Sequence, residues 1–170
     1  AEIFALHWKE IDWDTDIIKV RRSLFWRYGK YQVLKEGEPK YVFVSPKSAS
    51  SVREIDLSPY LRRELRKHQL KTSGQGLVFP SKKGTPLDPD NVIERKFKTA
   101  VEKAEIGEVR FHEQRHTYGS LTIEQGENIY YVMRHMGHSS IQVTIDIYGH
   151  LLKSRKPEAA AKTDELVFGV

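Results

Sequence analysis

The sequence predicts an α+β fold, mostly helical, with a small antiparallel sheet near the N-terminus. Three observations predict it. Strand-like runs of β-branched and aromatic residues, with turn chemistry between them, are confined to the stretch up to Leu57. From Ser58 onward apolar residues recur at helical spacing, punctuated by capping residues. The length of 170 residues suits one domain with a real core.

The elements follow in order. Residues 1–8, AEIFALHW, bring Ile3, Phe4, Leu6 and Trp8 together like the end of a buried helix. With no N-cap before Ala1, that helix is expected to begin upstream of the chain. In IDWDTDIIKVRRS, Asp12, Asp14 and Asp16 supply a turn and Ile17, Ile18 and Val20 a strand. Residues 23–40 mix aromatics with charge and read as a strand or loop excursion. YVFVSPKSASSVREIDL reads as a hairpin, with Tyr41–Val44 and Val52–Leu57 as strands and SPKSASS, carrying Lys47, as the turn. SPYLRRELRKHQLK is a basic amphipathic helix with Ser58 as N-cap and Pro59 at its first position. Residues 72–88 are rich in Gly, Pro and Ser and read as a surface connection. DPDNVIERKFKTAVEKAEI places Val92, Ile93, Phe97 and Val101 on one helical face. Further helices are expected from His112, after Gly126 and Glu127, and from Ser139 or Ser140; an Ala-rich helix closes the chain from Pro157 to Val167.

Composition narrows the function classes. Hydrophobic residues make up 39% and charged residues 30%. No apolar run approaches the roughly 18 residues of a membrane span, and the opening residues do not read as a signal peptide. Cysteine is absent, which excludes disulfides and thiolate metal sites and fits a reducing compartment. A net charge of +5 favours a polyanionic partner only weakly.

Residues 111–150 concentrate the chemistry. His112 and Arg115 share a helix face at i and i+3. An arginine fork grips phosphate oxygens, and a histidine one turn away donates to the same phosphate or moves a proton. Alone, HxxR more often marks a surface ion pair, here with Glu113 or Glu127. Gly137 and His138 form a turn capped by Ser139 or Ser140, which would leave His138 at a loop end. Tyr148 is a phenol, and most tyrosines are packing residues; as a nucleophile it needs cationic neighbours or a base, because only about one in a thousand is ionised at pH 7. Lys47 in its turn is either solvated or a mobile general acid. Together these residues read as a phosphoryl-transfer site with a tyrosine nucleophile. A rival is the zinc-hydrolase pattern HExxH in HEQRH, residues 112–116. Thr122 stands where the longer form of that pattern asks for a third histidine, and Arg115 between the ligands is awkward beside a metal.

In their order and spacing, AEIFALHWKEIDWDTDIIKVRRS, PKSASSVREIDL, GLVFPSKKGTPLDPDNV, FHEQRHTYGS and MGHSSIQVTIDIYGHL resemble the catalytic domain of the tyrosine recombinases, the phage-integrase family. The resemblance covers nearly the whole chain. It implies a single catalytic domain over residues 1–170, truncated at its N-terminus. The family's first active-site arginine is expected two residues before Ala1, and an upstream DNA-clamping domain beyond it. It implies that Tyr148 forms a 3′-phosphotyrosyl link to DNA and that Arg115 clamps the scissile phosphate. His112 would contact that phosphate or accept a proton, Lys47 would protonate the departing 5′-hydroxyl, and His138 would bond a non-bridging oxygen. His116 and His150 fall at positions the family often fills with histidine and would support the others. Gln114 and Met136 stand where leucine is commoner. No metal or other cofactor is implied. The expected partners are double-stranded DNA and copies of the chain itself, monomeric when free and tetrameric in the synapse, in the cytoplasm of a prokaryotic or phage-infected cell. Site-specific integration, excision or resolution are the reactions implied, with a type IB topoisomerase as a variant. A DNA-binding relative that no longer cuts is the alternative.

Overall fold

The computed structural model describes residues 1–27, 37–38, 40–46, 48–72, 74–152 and 157–169, with the side chains of 157–161 excepted. The expected architecture is present: a small antiparallel sheet region followed by helices.

A short helix α1 (Glu2–Ala5) buries Phe4 and Ala5. Strands β1 (Ile11–Asp12) and β2 (Ile17–Val20) flank a turn in which an Asp12 carboxylate oxygen accepts from the amides of Asp14 and Thr15. Asp16 completes that turn at φ 55°, a left-handed conformation that Asp tolerates better than most residues. Strand β3 (Ser23–Trp26) pairs with β4 (Tyr41–Val44), and β2 pairs with β5 (Arg53–Asp56).

That pairing corrects the expected hairpin. β4 and β5 do not face each other; they are successive pieces of one arm. β2 and β3 form the opposite arm, in register from Ile17↔Asp56 to Val20↔Arg53 and again from Ser23↔Val44 to Trp26↔Tyr41. Between the ladder ends at Val20↔Arg53 and Ser23↔Val44 one arm has two residues of sequence and the other eight, so SPKSASS belongs to an excursion from one arm. Pro46 brings no N–H to a ladder, and the serine side chains offer the backbone local partners instead. Ser48 Oγ lies 2.9 Å from Ser50 Oγ and 2.8 Å from Ser51 Oγ around a 3-10 turn, Ala49–Ser51. Lys47 falls outside the described residues, as do residues 28–36 and 39 of the expected excursion over 23–40.

Helix α2 (Pro59–Lys71) starts where its cap predicts: the Ser58 hydroxyl accepts from the Leu61 amide and Pro59 holds the first turn. Its Leu65 enters a core cluster with Trp8, Ile11, Ile18, Leu57 and Val78. The Gly/Pro-rich connection is therefore more than surface. Leu77 forms a bridge with His7, the Val78 amide donates to Leu6 O, and Val78 is wholly buried. Three apolar residues in sequence suffice to pull an otherwise polar segment into the core.

The helix predicted for DPDNVIERKFKTAVEKAEI, residues 88–106, is interrupted. It runs as α3 (Pro89–Val92), a π-helical turn (Ile93–Phe97) and α4 (Lys98–Ala104), ending at Glu105 in a left-handed conformation. Asp88 caps it, its carboxylate accepting from the amides of Asp90 and Asn91. Helices α5 (Glu113–Glu124), α6 (Ile129–Met136) and α7 (Ile141–Tyr148) then pack together, with α6 also on β5. Ser140 proves to be the cap of α7, accepting from the Val143 amide. Ile123, Val132, Met136 and Tyr148 make the core of this part. Helix α8 (Pro157–Phe168) ends with Leu166, Val167 and Phe168 exposed. Among the described residues no helix is long and apolar enough to cross a membrane.

Leu65→Ala should cost about 2–5 kcal/mol, the range for emptying a buried leucine site, and lower the urea midpoint without changing the secondary structure seen by circular dichroism. A second expectation concerns acid. Burial holds the imidazoles of His135 and His138 below the ordinary histidine range. The unfolded chain therefore takes up those protons at a higher pH than the folded one. Stability is full above about pH 6.5 and falls as pH drops below it. The carboxyls held below their ordinary range, including those of Glu2 and Asp12, lose their contribution only at lower pH. Urea titrations at pH 7 and pH 5 therefore read the histidines, and the midpoint should be lower at pH 5.

Candidate active site

The centre of the site is the Tyr148 hydroxyl. Tyr148 is the last residue of α7 and only 2% exposed. Its oxygen lies 3.0 Å from His116 Nδ1 on α5. One face of its ring is stacked against His138, with centroids 6.5 Å apart and planes 9° from parallel. The ring also lies against Gly119: a Cβ built there would come within 2.8 Å of Tyr148 Cζ and 2.9 Å of its hydroxyl oxygen. Glycine in mid-helix costs roughly 1 kcal/mol relative to alanine; here it makes the space the phenol occupies.

Arg115, on the same helix, is half-buried. Burial pushes its guanidinium down from the ordinary arginine value, Arg53 adds to this, and Glu2 and Tyr148 oppose it. Arginine remains charged nonetheless. Burial pushes the Tyr148 phenol up and Arg115 draws it down. For His138 burial is the larger cause of its lowered value, followed by Arg115, His116 and Arg53. These mutual effects place Arg53, Arg115, His116, His138 and Tyr148 around one small region.

His138 is set by two contacts. It follows Gly137, whose left-handed backbone (φ 65°) ends α6 and permits the turn. Its Nδ1 lies 2.9 Å from the hydroxyl of Thr144, which is fully buried on α7. His112 is exposed at the N-cap of α5, its ring edge-on to His116 at 5.3 Å. His112 therefore touches the site through His116. His150 stands apart, exposed on the 3-10 turn Gly149–Leu151; among the described residues it has no hydrogen bond, ion pair or ring contact to the cluster. Lys47 falls outside the described residues.

Four neighbours escaped the motif reading. Arg53 donates from Nε to His135 O at 2.8 Å, and its two terminal nitrogens grip both carboxylate oxygens of Glu2 at 2.9 and 2.8 Å. Gly119 and Thr144 complete the set. Gly119 carried a usable signal, as a mid-helix glycine one turn beyond Arg115. So did Thr144, four residues before Tyr148 and hence on its face. Glu2 and Arg53 carried none, since their pairing spans 51 residues of sequence.

The zinc-hydrolase pattern meets no third ligand among the described residues. Among the described residues no three His, Asp or Glu side chains converge on a metal position, and His116 Nδ1 faces a phenol.

The profile of the phage integrase family matches residues 1–155. The ICEBs1 integrase of Bacillus subtilis is 29% identical over 98% of this chain and 45% of its own length. A tyrosine recombinase XerC-like protein of Caldanaerobacter subterraneus is 28% identical over 98% of this chain and 46% of its own. The chain thus spans about half the length of these curated relatives. Among solved structures, the Tn1549 transposon integrase in complex with a circular intermediate DNA superposes with a TM-score of 0.69 at 21% identity, over 98% of this chain and 54% of that one. XerA recombinase gives 0.61 at 18% identity, over 97% and 51%. The family match runs without a break from α1 through Tyr148 and past it, so every residue of the cluster lies inside it. The chain belongs to the phage integrase family, the tyrosine recombinases.

Proposed function

We propose that this chain is the catalytic domain of a site-specific DNA recombinase, which cuts and rejoins duplex DNA through a 3′-phosphotyrosyl link to Tyr148. The observation that carries the reading is the Tyr148 hydroxyl: a phenol held 3.0 Å from an imidazole, with the Arg115 guanidinium acting on it electrostatically. A core tyrosine needs neither neighbour. The Tn1549 integrase was solved with a circular intermediate DNA, which supports duplex DNA as the partner here.

In this reading Tyr148 attacks phosphorus and the 5′-oxygen departs. Arg115 holds the non-bridging oxygens as charge builds on them. His138 donates to one of those oxygens. His112 lies at the rim, and Lys47 protonates the leaving oxygen from the excursion between β4 and β5. Each cationic donor aimed at the developing charge contributes roughly 10²- to 10³-fold in rate. The phosphotyrosine keeps the bond energy, so an incoming hydroxyl reverses the step. Binding is salt-sensitive, its log affinity falling by about 0.9 per phosphate contact per decade of salt. The free chain is monomeric and four copies meet in the synapse, with α8 docking in cis or on a neighbour. The reaction runs in the cytoplasm. One observation favours a second reading, a relative that binds DNA without cutting: the proposed nucleophile is 2% exposed.

A nicked suicide substrate carrying candidate sites separates the two. It is run with this chain and with a version extended upstream to supply the arginine that the family pattern asks for before Ala1. A protein–DNA band surviving denaturing electrophoresis is expected, and Tyr148→Phe should abolish it with DNA affinity nearly unchanged. An adduct that persists in Tyr148→Phe sinks the recombinase reading; binding with no adduct in any form selects the second. Gly119→Ala should displace the phenol and slow adduct formation by roughly 10²-fold, the usual cost of misplacing a reacting group by about an ångström, while DNA binding in a gel-shift titration persists.

A further inference from the structure

We infer that His116 is the base that takes the proton from Tyr148. The inference rests on the recombinase reading above and moves the proton-accepting role from His112 to its neighbour one helical turn on.

The geometry separates the candidates. His116 Nδ1 lies 3.0 Å from the Tyr148 hydroxyl, within reach for direct transfer. In its neutral form with the proton on Nε2, His116 accepts the hydrogen bond that the phenol donates. The ring of His138 runs nearly parallel to that of Tyr148 with centroids 6.5 Å apart, its Nδ1 is engaged by Thr144, and among the described residues no hydrogen bond joins it to the phenol. His112 meets His116 ring to ring, and among the described residues it makes no hydrogen bond or ring contact to Tyr148. Arg115 has no lone pair to offer. His116 is also exposed on its outer side, so a proton received at Nδ1 is followed by one leaving Nε2 to water or toward His112.

The step balances. The Tyr148 O–H bond breaks and its proton forms a bond to His116 Nδ1. The phenolate oxygen bonds to phosphorus as the bond from phosphorus to the 5′-oxygen breaks, and that oxygen is protonated by the acid on the other side of the phosphate. In the return step a 5′-hydroxyl attacks phosphorus and gives its proton back to the group that had acted as acid, Tyr148 leaves as phenolate, and His116, reprotonated at Nε2, returns its Nδ1 proton to that oxygen. Arg115 favours the anionic oxygen in both directions.

The test uses whichever form of the protein gives the adduct. His116→Phe and His116→Gln should slow single-turnover adduct formation on the order of 10²- to 10³-fold, within the usual range for a positioned base, with DNA affinity kept. A substrate with sulfur in place of the 5′-bridging oxygen needs no acid, because a thiolate leaves without a proton. It should rescue Lys47→Ala and leave His116→Phe slow. Replacing Tyr148 by a trifluorinated tyrosine, whose phenol ionises far more readily, should restore most of the rate to His116→Phe; a purely structural role for His116 predicts no such recovery. Adduct formation in His116→Phe within threefold of the unaltered protein overturns the assignment and leaves the recombinase reading standing. A faster variant also overturns it, marking His116 as a restraint on a docked tyrosine. Rescue of His116→Phe by the sulfur substrate overturns it in favour of a role on the leaving side. No adduct from the unaltered protein overturns both readings together.

Discussion

The geometry of the site depends on one side chain that does no chemistry in it, Arg53. Its side chain is only 8% exposed, and it reaches three separate pieces of chain. It grips Glu2 of α1 with two parallel hydrogen bonds, donates to Ser51 O in the excursion that also carries Lys47, and donates to His135 O in the last turn of α6. Its Cδ would lie 3.0 Å from a Cβ at Gly137, so the turn that delivers His138 is packed directly on it. A buried ion pair of this kind adds little net stability, because desolvation offsets most of the attraction. Its value is geometric. A guanidinium with partners in three directions fixes α1, β5 and the end of α6 relative to one another, and the bidentate grip on Glu2 excludes most alternatives.

The same arrangement explains the electrostatics. Arg53, Arg115, His116 and His138 crowd together, and Glu2 is the carboxylate that faces both arginines. Without an anion, such a cluster works against itself. Burial and then Arg53 disfavour the charged form of Arg115, and burial followed by Arg115, His116 and Arg53 disfavours that of His138. A phosphodiester would act in the opposite sense: it would favour the charged imidazole and add a second anion beside the Arg115 guanidinium. On the recombinase reading, the protein would hold these donors in a position that is electrostatically unfavourable until a phosphate arrives, which is how a preorganised anion site differs from a patch of solvated surface lysines.

The fold and the site were legible to different depths. The caps at Ser58 and Ser140, the turn at Asp12–Asp16 and the helical stripes could be read because their causes are local: a side chain bonds an amide two or three residues away. The false hairpin at 41–57 arose because turn composition is also the composition of an excursion, and what separates them is a ladder to a distant strand. Val78 was underrated for a similar reason, since its burial follows from partners at Leu6 and Trp8. In the site, spacing along α5 and α7 brought Arg115, His116 and Tyr148 into one list. It could not say that His116, not His112, meets the phenol, because that depends on the angle between two helices. Arg53 and Glu2 had no local signature at all.

Tyr148 belongs to two structures at once. It is a core residue, packed with Ile123, Val132 and Met136, and it is the phenol on which the chemistry is proposed. Its hydroxyl adds one hydrogen bond, worth about 1 kcal/mol net, whereas its ring fills the space left by Gly119; losing the oxygen therefore spares the fold while losing the ring does not. Reaction asks the oxygen to meet a phosphate on the side of Arg115. The backbone at Tyr148 (φ −118°, ψ −1°) has already left α-helical geometry, and a 3-10 turn follows it. That turn has poorer hydrogen-bond geometry than an α-helix. Movement of the phenol is thus least resisted at the C-terminal end of α7, where the helix ends, while Thr144 one turn earlier keeps the rest of α7 anchored to His138.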